Sequence, residues 1–179
     1  MENKNRQQSC CFFGHRKIDE TPELIEKLTQ TVETLITAKN VSNFCFGSKS
    51  EFNSLCVKVV KGLKEKYPHI RRIYVRSAYP DISDSYEDYL LESFEDTYFS
   101  EKMRGAGKAS YVERNQEMIN QSYFCVIYYD ENYAPPRRRN SKRDSTDYQP
   151  RSGSKVVYDY VIKKECKIIN LYIKSYNVV

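Results

Sequence analysis

Five polar stretches sit immediately beside apolar runs and hold the residue types that could do chemistry: Gly14-His15-Arg16, Gly47-Ser48-Lys49, Arg76-Ser77, Asp130, and Ser152-Gly153-Ser154. Three contain a glycine, which lets the backbone turn tightly and an anion approach its amides. The added cations and hydroxyls suit a phosphate-bearing ligand better than an apolar one. Gly47 also precedes a strongly periodic segment, so the free N–H groups of a helix N-terminus would face an anion there. The same residues fit a plain capping box, with Ser48 accepting from the Glu51 N–H and the Glu51 carboxylate reaching back. His15 could act as a general base, although a hydrogen-bonded turn histidine is the preferred reading. Glu51 and Asp130 are the carboxylates placed to serve as an acid–base group, and each has an ordinary structural alternative. There is no GxGxxG, GxxxxGK[ST] or HExxH, and neither histidine has metal-ligand spacing, so no metal is expected.

The elements that must position these stretches follow from periodicity. Ser9-Cys10-Cys11-Phe12-Phe13 predicts a strand buried on both faces. Thr21-Pro22-Glu23 predicts a helix start, with Thr21 as N-cap and Pro22 in the first turn, and Asn40 predicts its end. Strands are predicted at 41–46 and 70–75. Between them a helix carries Phe52, Leu55, Cys56, Val59, Val60 and Leu63 on one face. A short helix near Tyr86, Tyr89 and Leu90 and an extended piece at Thr97-Tyr98-Phe99 come next. Ser110 and Glu113 read as a second capping box, and Tyr123 to Tyr129 is the strongest strand signal. A last helix through Val156, Val157, Tyr160 and Val161 precedes a strand at 167–172. Alternating strands and helices predict a single α/β domain, doubly wound and mostly parallel, with helices on both faces and the named turns at the carboxyl ends of the strands.

The chain has 179 residues, enough for one domain spanning 9–179 behind a flexible stretch at 1–8. Its net charge of +5 is unevenly placed. Residues 81–101 hold eight carboxylates and no Lys or Arg, whereas Arg137, Arg138, Arg139, Lys142 and Arg143 crowd an aperiodic segment read as a mobile insertion loop at about 131–150. Six cysteines without CxxC spacing read as buried thiols of a reducing compartment. No apolar run could span a bilayer and no signal-peptide layout is present, so the expected location is cytoplasmic, with no membrane partner.

Cys10-Cys11-Phe12-Phe13-Gly14-His15-Arg16 resembles the CCFTGHR opening of the YpsA-like branch of the SLOG (DprA/LOG-like) superfamily. Phe44 to Asn53 resembles its glycine turn, Arg114 to Ser122 its RNxxMVDxSD segment, and Ser152-Gly153-Ser154 its later GGT turn. The resemblance implies a Rossmann-like fold and a nucleotide pocket made by the glycine turns and Arg114-Asn115. The sequence departs from the family pattern at Ser48, Glu51, Asn53 and Ser152. Val157 stands near the place of the catalytic glutamate of the enzymatic LOG branch, so that branch's phosphoribohydrolase reaction is not implied.

The leading expectation is a small sensor or sequestering module for a nucleotide or NAD-derived ligand, with no cofactor required. An N-glycosidic-bond hydrolase using Glu51 or Asp130 is the alternative. A nucleic-acid-binding module acting through 137–143 ranks behind both, and the oligomeric state stays open.

Overall fold

Ser9–Gly14 forms β1, whose side chains alternate between the two faces of the sheet. Cys10 and Phe12 enter one core, and Cys11 and Phe13 the other. The structure is a computed structural model that describes residues 2–133 and 153–172. In chain order the remaining elements are α2 (Pro22–Lys39), β2 (Asn43–Phe46), α3 (Glu51–Lys66), β3 (Arg71–Val75), α4 (Asp84–Leu91), β4 (Asp96–Tyr98), α5 (Ser110–Asn120), β5 (Phe124–Tyr128), α6 (Gly153–Val161) and β6 (Lys167–Asn170). A short helix α1 (Glu2–Gln7) precedes β1, where the sequence predicts a loose end. It is tied down by Ser9 Oγ donating to the Asn5 carbonyl (2.6 Å) and by Arg6 donating to the Glu165 carbonyl (3.1 Å).

The six strands are all parallel, in the order β4-β3-β2-β1-β5-β6. This is a Rossmann-like, doubly wound α/β fold. Helices α2 and α3 cover one face, where Phe12, Phe44, Phe46 and Phe52 are fully buried. Each such side chain contributes on the order of 2–3 kcal/mol by leaving water. Met118 and Ile119 of α5 and Val157 and Val161 of α6 cover the other face. All six cysteines are free and buried. Among the described residues no helix is long and apolar enough to cross a membrane.

Thr21 caps α2 as expected, its Oγ1 accepting from the Leu24 N–H at 3.2 Å, and Asn40 ends that helix in the left-handed region at φ 54°. The other two predicted caps are corrected. Helix α3 is capped by Ser50, which accepts from the Asn53 N–H at 3.2 Å, not by Ser48. Helix α5 has no side-chain cap, because a 3-10 turn at Gly107–Ala109 runs directly into it and supplies the preceding turn.

From β1 the chain steps outward through β2, β3 and β4, then returns to lay β5 on the other edge of β1. Strand order therefore reverses between β1 and β5, and the carboxyl ends of the strands on either side of that point are where such sheets take ligands.

Candidate functional site

The reversal point is closed by His15. A Cβ on Gly14, the last residue of β1, would lie 2.4 Å from the Phe52 ring, so the absence of a side chain there lets α3 pack close and delivers His15 inward. His15 is 1% exposed. Its Nε2 accepts from the Asp130 N–H at 2.7 Å, beyond β5. The ring proton is therefore on Nδ1, which donates to Ser154 Oγ (3.1 Å) at the start of α6. Tyr133 stacks on the ring at 3.8 Å and 14°. Burial pushes the His15 pKa down, against the opposing pull of the Asp130 carboxylate. With both nitrogens engaged, His15 is a structural clasp joining β1, β5 and α6, the preferred of its two expected roles.

A second cluster forms at the end of β2. Arg114 crosses from α5, and its Nη1 donates a short hydrogen bond to the Gly47 carbonyl. A Cβ on Gly47 would stand 2.9 Å from Cδ and Nε of Arg114, so this glycine makes room for the arginine. Nε and Nη2 of Arg114 donate to Asn115 Oδ1 at 3.2 and 3.0 Å. These bonds use three of the five guanidinium N–H groups. Arg114 is 4% exposed, and among the described residues no carboxylate pairs with it. Arg72, 7% exposed on β3, shows the usual alternative, gripping Glu95 with Nη2 at 2.6 Å and Nε at 3.2 Å. What surrounds Arg114 instead is aromatic. The Tyr111 ring lies 5.5 Å from its guanidinium, and the Tyr74 hydroxyl is within electrostatic reach of Arg114, Lys49, Tyr86 and Tyr111.

The N-terminus of α3 is largely satisfied by the chain itself. The Glu51 N–H donates to the Arg16 carbonyl at 3.0 Å, and the Asn53 N–H is taken by Ser50. The Ser48 N–H donates to Asn53 Oδ1 (3.0 Å) and the Ser50 N–H to Ser48 Oγ (3.1 Å). The Glu51 carboxylate does not reach back to Ser48. It accepts from the Ile18 N–H at 3.1 Å and pairs with Lys17, and these partners hold it below its ordinary range. Arg76 braces its own loop, donating to the carbonyls of Tyr79 (2.7 Å) and Pro80 (3.2 Å).

Gly14, His15, Asp130 and Ser154 thus form one cluster, and Gly47, Arg114 and Asn115 another, with Lys49 exposed beside it. Arg16 and Glu51 serve the entry to α3. Gly153 opens α6 with nothing near an added Cβ, and Val157 is a core residue. Ser152 and the basic 137–143 segment lie outside the described residues, as does all of the predicted 131–150 loop beyond Tyr133. Sequence reasoning missed the tyrosines of both clusters. The available signal was Tyr128-Tyr129 and Tyr74 at or next to strand ends, where alternation turns successive rings to opposite faces beside the carboxyl edge. No protein-family model matches the chain, and no curated protein matches it either.

Proposed function

We propose that this protein is a binding module for a nucleotide or nucleotide-derived anion, acting as a sensor or sequestering device at the carboxyl edge of the sheet. The observation that carries this is Arg114, a buried guanidinium whose partners are a carbonyl, an amide oxygen and tyrosine rings. Leaving a buried charge without its counter-charge is unfavourable by on the order of 3–5 kcal/mol, and a phosphate supplies that charge in the planar, two-pronged geometry a guanidinium prefers. Lys49 adds a second cation, and the exposed Tyr111 beside Arg114 offers a ring on which a base stacks. The likeness of the Gly14, Gly47 and Arg114-Asn115 segments to the SLOG superfamily accords with this reading, and NAD-derived ligands fall within the proposed class.

The alternative, glycosidic hydrolysis through Glu51 or Asp130, is not favoured by the setting of Glu51. A general acid must hold a proton near neutral pH, whereas Glu51 is kept ionised by Lys17 and the Ile18 N–H. Native mass spectrometry of protein purified without denaturation, then of the same protein with millimolar adenosine monophosphate or ADP-ribose, tests the proposal. A bound species in the co-purified or the incubated sample is the expected result; bare protein in both removes the proposal's basis.

A further inference from the structure

A pocket of about 280 Å³ opens beside the His15 clasp, lined by His15, Lys17, Ile18, Asp19, Tyr128, Asp130, Tyr133 and Tyr172. Two of its ring pairs meet at right angles. Tyr128 stands edge-on to Tyr172 (5.4 Å, 86°) and edge-on to His15 (6.0 Å, 89°), while Tyr133 lies flat against His15. The Tyr128 hydroxyl is within electrostatic reach of both Asp19 and Asp130. Lys17 brings the lining's one fixed positive charge, and its ammonium is committed to Glu51. His15 donates from Nδ1 to Ser154 and accepts at Nε2, so it stands there as the neutral ring.

Ring faces carry negative quadrupole density, and a pocket lined by several rings together with two carboxylates attracts a weakly hydrated positive group. An anion in the same space would meet two carboxylates. We infer that this pocket is a subsite for an organic monocation, an alkylated ammonium or an N-alkylpyridinium ring, held by Tyr128, Tyr133 and Tyr172 with Asp19 and Asp130 supplying the counter-charge. Its polarity is opposite to that of the Arg114 cluster, and it stands on its own lining, independently of the nucleotide reading.

Isothermal titration of the full chain against matched probes tests it. Choline and the 1-methylnicotinamide cation are compared with their neutral counterparts, 3,3-dimethylbutanol and nicotinamide. The cations should bind at least roughly fivefold more tightly than the neutral isosteres, in keeping with a cation–π contribution near 1 kcal/mol. Asp19→Asn, at an exposed position that leaves the core untouched, should weaken cation binding several-fold and leave the neutral probes unchanged. Tyr172→Phe should keep the affinity and Tyr172→Leu should lose it, which separates the ring face from the hydroxyl. Equal binding of charged and neutral probes, an unchanged cation affinity in Asp19→Asn/Asp130→Asn, or no binding of any probe at millimolar concentration would each overturn the assignment.

Discussion

Arg114 and Arg72 are buried to nearly the same degree and differ in what faces them. Arg72 has the Glu95 carboxylate, while Arg114 has the Gly47 carbonyl, Asn115 and tyrosines. His15 shows how a buried polar residue is satisfied when its role is structural, with a donor for one ring nitrogen and an acceptor for the other. That arrangement has a pH signature. Because burial depresses the folded-state pKa of His15, the unfolded chain binds more protons in the interval below the ordinary histidine value of about 6.5. Its stabilising contribution is therefore complete above that value and is lost as pH falls from there through the depressed folded-state pKa, when a protonated Nε2 would face the Asp130 N–H. Between pH 7.5 and pH 5 the wild-type Tm should fall more than that of His15→Gln, whose amide can accept from Asp130 and donate to Ser154. Parallel Tm-versus-pH curves would show that His15 is not buried in the neutral form.

At the scale of elements, the glycines divide by what their missing side chains allow. Gly14→Ala would place a methyl against the Phe52 ring, in a core formed by rigid aromatic groups, and should lower stability by roughly 1–3 kcal/mol in denaturant titration. Gly153→Ala points into open space at the start of α6 and should be neutral to slightly stabilising, within about 1 kcal/mol. Equal losses at the two positions would contradict the packing described. The helices and strands were legible where the signal is local. Thr21-Pro22, Asn40 and the apolar runs of β1 and β5 fell where periodicity and capping chemistry put them. The α3 cap was not, since Ser48-x-x-Glu51 matches the capping box while Ser50 is an equally good N-cap residue by type. The choice between them depends on the Arg16 carbonyl, delivered from the turn after β1, taking the Glu51 N–H.

For the whole molecule, strand alternation was enough to predict a doubly wound sheet and to put the glycine turns on one edge. The all-parallel order with its reversal between β1 and β5 required the coordinates of the fold, because strand adjacency is not written in periodicity. The candidate site was legible as residue types and illegible as a contrast of charge. Arg114 meets Gly47 across 67 positions of chain, and the pocket's rings come from separate places, His15 from the end of β1, Tyr128 and Tyr133 from the end of β5 and beyond it, and Tyr172 from beyond β6, which only the fold brings together. The result is an edge with an unneutralised arginine at β2 and an acidic, ring-lined pocket at β1 and β5.

The role proposed for Arg114 is to meet a ligand's negative charge rather than to fasten the Gly47 turn. The Tm of wild type and Arg114→Met, each with and without saturating adenosine monophosphate or ADP-ribose against a matched salt control, tests it most directly. A ligand at about 100 times its Kd stabilises the native state by about 2.7 kcal/mol, which for a chain of this size raises Tm by roughly 5–10 °C. Wild type should show that shift. Arg114→Met should show none, while melting without ligand at or above the wild-type temperature, because an apolar side chain replaces an uncompensated buried charge. A variant that melts far below wild type, with no ligand shift in either protein, would contradict the account.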